Sequence, residues 1–113
     1  MAHRDEQRRI PRVPIEVPVE FTTRDSWDTM PGIAKDISLG GMFIETAHTV
    51  PVGIEIVVRI ALPSQSERFS VPTTARWTSK SGMGVQFGLL GARETHAITE
   101  IEREHGSSPH GSR

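Results

Sequence analysis

The stretch Ile54-Glu55-Ile56-Val57-Val58-Arg59-Ile60-Ala61-Leu62 sets Ile54, Ile56, Val58, Ile60 and Leu62 in alternation with Glu55, Val57, Arg59 and Ala61. A repeat of two is the period of a strand, whose side chains point to opposite faces in turn. Pro63-Ser64-Gln65-Ser66 follows and reads as a hairpin turn. Phe69, Val71, Thr73, Ala75 and Trp77 then form one face of a returning strand. Ser79-Lys80-Ser81-Gly82 turns the chain again, and Met83, Val85, Phe87 and Leu89 alternate in a last strand.

The same pattern holds upstream. Met42 to Thr46 and Ile33 to Ser38 read as short strands joined by a turn at Leu39-Gly40-Gly41, with 47–53 a connection. Residues 23–32 read as a polar loop, and Trp27 within it as a surface or partner contact. Ile15, Val17, Val19 and Phe21 alternate with Glu16, Pro18, Glu20 and Thr22 in the first strand. Pro18 cannot donate a ladder hydrogen bond and suits an edge or an irregular strand. After Gly91 the period changes. Ala97, Ile98 and Ile101 sit at helical spacing among charged residues, one amphipathic helix of roughly three turns. Six short strands and one helix predict a mostly β fold, a small antiparallel barrel or closed sandwich that removes exposed strand edges. Residues 1–12 are expected to form a flexible Arg-rich arm, 13–105 the barrel with its C-terminal helix, and 106–113 a disordered tail.

Composition excludes several function classes. At 113 residues the chain has room for one small core. There is no apolar run of membrane-helix length, and the polar start MAHRDEQRRIPR does not read as a signal peptide. Zero Cys removes disulfides, thiolate metal sites and Cys nucleophiles. A cytoplasmic protein is expected. His3, His48, His96, His105 and His110 are scattered and show no metal-ligand spacing. No nucleophile elbow, Walker loop or zinc-protease motif occurs, so the reading is not an enzyme. A net charge of −1, 5% aromatic residues and no Tyr argue against a barrel for single-stranded nucleic acid or a coat for long nucleic acid.

Two motifs carry the remaining chemistry. Arg8-Arg9-Ile10-Pro11-Arg12 directly precedes the first strand, in a twelve-residue segment with four arginines and no lysine. All-arginine usage points to bidentate or stacking recognition, although a solvated arm has the same composition. Asp36-Ile37-Ser38-Leu39-Gly40-Gly41 bridges two strands. By itself it reads as turn chemistry, with Asp and Ser bonding local backbone and Gly supplying positive φ.

In this order and on this frame, the two motifs resemble the PilZ domain, a bacterial receptor family for cyclic di-GMP. Its signature is R-x-x-x-R before the first strand and D/N-x-S-x-x-G between the second and third. Arg8 and Arg12 match the first pattern, with Arg9 as a frequent extra arginine, and Asp36, Ser38 and Gly41 match the second. Arg76-Trp77 and Gly82-Met83-Gly84-Val85-Gln86-Phe87 look like the family's final strands, so the resemblance spans about residues 8 to 103. It implies a six-stranded antiparallel β-barrel of the split-barrel type. It also implies cyclic di-GMP as ligand, no other cofactor and no metal.

The residues suit that ligand. Each phosphate calls for charge-assisted donors, each guanine offers N7 and O6 to an arginine fork, and its other edge presents N–H donors to a carboxylate. Arg8, Arg9 and Arg12 are expected to share the phosphate, guanine-edge and stacking roles. Asp36 accepts from a guanine N–H edge. Ser38 donates to phosphate or fixes the turn. Gly41, with Gly40, lets backbone approach and adopt positive φ. Trp77 flanks a base or packs on the sheet. One bidentate guanine contact is worth roughly 1–3 kcal/mol and micromolar binding needs about 8 kcal/mol, so the arginines must act jointly. The expected mechanism is an arm that orders over the barrel on binding and is read by a separate effector protein, from a monomer or weak homodimer without membrane insertion. Motility, pili, secretion and exopolysaccharide export are all compatible outputs. The competing expectation is a PilZ-like protein-interaction module without nucleotide affinity.

Overall fold

The computed structural model describes residues 12–23, 26–61 and 68–111. Arg8 and Arg9, with the rest of 1–11, lie outside the described residues. The elements are β1 (Val13–Thr23), β2 (Met30–Ile37), β3 (Gly41–Glu45), β4 (Glu55–Ala61), β5 (Arg68–Thr78), β6 (Gly82–Phe87) and α1 (Ala92–Gly111). The strands close into a barrel in the order β1-β2-β3-β6-β5-β4, with every neighbouring pair antiparallel and β4 returning to β1.

The alternation explains the closure. Val17, Val19 and Phe21 of β1, Ile56, Val58 and Ile60 of β4, and Met83 and Val85 of β6 all point into one apolar interior. Apolar surface removed from water drives this packing at roughly 25 cal/mol per Å². Ala97, Ile98 and Ile101, the apolar stripe of α1, join the same core, and the helix lies against β1.

Four sequence expectations are corrected here. First, β2 begins at Met30, inside the segment expected to be a loop. Phe21 pairs with Met30, Glu20 with Pro31 and Val19 with Gly32. Pro31-Gly32 has turn composition, but β1 is long enough to pair with it. Gly32 also fits closely: a Cβ there would lie 2.6 Å from Ile44 Cγ2. Secondly, β6 stops at Phe87. Gly88 N–H donates to Pro72 O at 2.8 Å and the chain leaves the sheet, so Leu89 is 95% exposed rather than inward. Thirdly, Ile54 belongs to the turn before β4, where Ile54 N–H donates to Pro51 O at 3.2 Å and Gly53 takes φ +95°. Finally, α1 continues through Gly111, past the boundary at 105 that the Gly/Ser/Pro composition suggests. Once a helix is nucleated, each further residue adds one bond, Pro109 excepted because it has no N–H to donate. No helix among the described residues is long and apolar enough to cross a membrane.

Candidate functional site

The barrel interior is filled by apolar side chains, so the polar chemistry lies on the outer wall. Residues paired directly across antiparallel strands share a face. Pro14 pairs with Asp36, Asp36 with Phe43, Phe43 with Gly84, and Gly84 with Trp77. One outward-facing row therefore crosses β1, β2, β3, β6 and β5, and it holds the Asp of the second motif and the Trp of the last hairpin.

At one end of this row the two sequence motifs meet. Arg12 Nη1 donates to Asp36 Oδ1 at 3.1 Å, with the side chains 48% and 29% exposed. The same Oδ1 accepts Phe43 N–H at 3.1 Å. The second contact arises where the β2–β3 register slips between Ala34 and Asp36. A slip of this kind bends a strand and re-aims a side chain. Lys35, at the slip, reaches Glu16 at 3.7 Å, beside the β1 irregularity between Pro14 and Val17.

The Ser38–Gly41 turn is built by its own groups. Ser38 is 3% exposed. Its N–H donates to Gly41 O at 2.9 Å, and its Oγ accepts Gly40 N–H at 3.1 Å. Of the two roles expected for Ser38, the hydroxyl fills the turn-fixing one. Gly40 and Gly41 correct the expectation of positive φ, because Gly53 alone adopts it among the described residues. Gly41 has a different need: a Cβ on it would collide with the Val85 backbone carbonyl of β6. Gly40 has open space, with Ser38 Oγ 3.8 Å from where its Cβ would be. The second glycine of the motif is thus a packing requirement of the barrel, and the first is not.

At the other end of the row, strict alternation from Ala75 would turn Trp77 inward. The β5–β6 register slips between Ala75 and Trp77, so Arg76 and Trp77 are both exposed. Trp77 remains 45% exposed and stacks on Phe43, with ring centroids 5.3 Å apart and planes 21° from parallel. Gly84 allows this, because a Cβ there would strike the indole at Nε1 and Cε2. Phe43 and Gly84 were missed as site residues. A glycine inside the alternating Met83–Phe87 strand is the signal for close approach by another group. Phe43, outward between Met42 and Ile44, is an aromatic on the wet face.

Arg12, Asp36, Ser38, Gly40, Gly41 and Trp77 thus lie on or beside one wall. Among the described residues no group of His, Asp and Glu is arranged to hold a metal ion.

These features define a small closed barrel with a filled interior and an arginine–carboxylate–aromatic outer wall. The PilZ domain family model matches residues 6–103, and the chain belongs to the PilZ domain family. Its fold is similar to three solved structures. The PilZ domain with c-di-GMP of YcgR from Escherichia coli is 14% identical, with TM-score 0.72, covering 94% of this chain and 96% of that one. The PilZ domain of CeSA from a cellulose-synthesizing bacterium is 16% identical, with TM-score 0.67, covering 80% and 93%. The Bacillus subtilis inhibitor of motility (MotI/DgrA) is 17% identical, with TM-score 0.65, covering 84% of this chain and half of that one. No curated protein matches the sequence.

Proposed function

We propose that this protein is a cytoplasmic cyclic di-GMP receptor that signals to a separate effector protein and has no catalytic role of its own. The observation that carries the reading is the Arg12–Asp36 contact at 3.1 Å, which joins the arginine run to the Asp-Ser-Gly corner on one wall. The structure of a similar domain, that of YcgR, was solved with c-di-GMP, which supports the same ligand here.

The chemistry follows from donor and acceptor capacity. A carboxylate has about four lone-pair positions, so Asp36 can hold Arg12 and the Phe43 amide and still accept a guanine N–H edge. Arg8, Arg9 and Arg12 take the phosphates and the guanine N7/O6 edges, and Trp77 offers its exposed face to a purine. Ser38, Gly40 and Gly41 hold the corner against which the ligand rests. Arg12 is already anchored, so the segment that closes over the ligand is the one preceding it. Closure of Arg8 and Arg9 onto the phosphates makes a new surface of chain and ligand together, and the effector reads that surface. Motility control and polysaccharide synthesis are compatible outputs, in keeping with the similarity to the motility inhibitor and the CeSA domain.

Calorimetric titration of the full chain with cyclic di-GMP tests the receptor reading. Heat of binding that disappears in Arg12→Ala is expected. An unaltered isotherm in that variant, or no heat from the parent, rejects it in favour of a protein-interaction module. Amide exchange of residues 1–12 tests closure, with greater protection expected in the bound state.

A further inference from the structure

We propose that Phe43 is a positioning residue that sets both Asp36 and Trp77 for the ligand, an inference that rests on the receptor reading above. Phe43 lies at the centre of the outward row, paired to Asp36 on one side and to Gly84 on the other. It acts in two directions through two different groups. Its backbone N–H donates to Asp36 Oδ1 at 3.1 Å and fixes the carboxylate that also holds Arg12. Its ring carries the Trp77 indole at a centroid distance of 5.3 Å.

The geometry around the ring has a purpose that sheet packing alone does not require. Phe43 and Trp77 are on the outer face, away from the apolar interior. Three features of the wall bring the Phe43 ring, the Trp77 indole and the Asp36 carboxylate together. The β5 register slip turns Trp77 out, the missing side chain at Gly84 lets the indole cross β6, and the β2 slip presents Asp36 to the Phe43 amide. An isolated exposed Trp samples several rotamers and loses that freedom when a purine stacks on it. Phe43 removes this cost beforehand by holding the indole flat against the wall. A guanine on the outer indole face then completes a stack of Phe43, Trp77 and base.

The test uses the full chain in a Trp27→Phe background, which leaves Trp77 as the sole indole. Phe43→Ala and Phe43→Leu remove the ring and keep the amide. Both are expected to weaken cyclic di-GMP binding roughly threefold to tenfold, the scale of one aromatic pair, and to raise acrylamide quenching of Trp77 in the free protein. Phe43→Tyr is expected to restore both. Gly84→Ala displaces the indole with Phe43 in place and is expected to give the same loss; it decides the matter if neither ring deletion folds. Binding as tight as the parent's in these variants, or no rescue by Tyr, overturns the role of Phe43 while the receptor reading stands. A parent that takes up no cyclic di-GMP overturns the receptor reading and this inference with it.

Discussion

Arg12 and Asp36 are 24 positions apart in the chain and 3.1 Å apart across the β1–β2 edge of the wall. Their contact closes the gap between the arm and the corner, yet it contributes little to stability. Both side chains are partly exposed, and ion pairs of that kind are worth about 0–1 kcal/mol. The contact therefore does little to hold the fold, and its proposed role is in ligand binding.

That distinction predicts different behaviour for its two members. Arg12→Ala is expected to lower the unfolding free energy by under about 0.5 kcal/mol in urea titrations. Asp36→Ala also strands the Phe43 N–H and is expected to cost about 1–3 kcal/mol. Both are expected to weaken cyclic di-GMP binding by more than about tenfold, as bidentate and charge-assisted contacts require. Equal stability losses would contradict the role given to the Phe43 amide.

The two adjacent glycines are expected to separate sharply. Gly41→Ala drives a Cβ into the Val85 carbonyl, and neither backbone can yield without breaking the β3–β6 ladder. Thermal denaturation is expected to show a loss above about 3 kcal/mol or no folded protein, beyond the usual range for one substitution. Gly40→Ala meets no neighbour closer than 3.8 Å and is expected to stay within about 0.5 kcal/mol of the parent. A tolerated Gly41→Ala refutes the close approach.

Ser38→Ala removes the buried hydroxyl that accepts Gly40 N–H in a part-buried turn. A loss of about 0.5–1.5 kcal/mol is expected, the net worth of one hydrogen bond, because water reaches the exposed Gly40 N–H. Ligand affinity is expected to fall with it, because Asp36 and the corner share this turn. Chemical denaturation and titration of the same preparation check both; full stability with lost affinity would give Ser38 a direct phosphate contact instead.

One carboxyl gives a pH dependence with a definite sign. Burial on α1 raises the Glu102 carboxyl above its usual value. The native state therefore binds this proton more tightly than the unfolded chain does. Stability from this group is present at low pH and declines as pH rises from the ordinary carboxylate value through the raised one. Glu102→Gln is expected to melt higher than the parent at pH 7, with the difference shrinking as pH falls through the raised value and vanishing below the ordinary carboxylate value. Melting curves from pH 3.5 to 7.5 decide it; a variant no more stable at pH 7 rejects the burial cost.

Much of this molecule was legible along the chain because strand periodicity is a local property. Ile15 to Phe21, Ile56 to Ile60 and Met83 to Phe87 alternate whatever they pair with, so the six strands and the inward set follow from sequence. Arg12 and Asp36 could be chosen for their chemistry, and the resemblance to the PilZ pattern said that they belong together. What alternation misjudged lay where pairing overrides local preference. Pro31 and Gly32 have loop composition but are drawn into β2 by β1, and Leu89 continues a period that the sheet itself ends at Phe87.

The side on which Trp77 emerges, the reason Gly41 is glycine, and the place of Phe43 between carboxylate and indole came from the tertiary structure alone. Each depends on register between strands distant in the chain, and a slip of one residue exchanges inside for outside. Local periodicity can name the strands and their apolar faces. Only the closed barrel, by choosing where its ladders slip, determines which side chains share the outer wall.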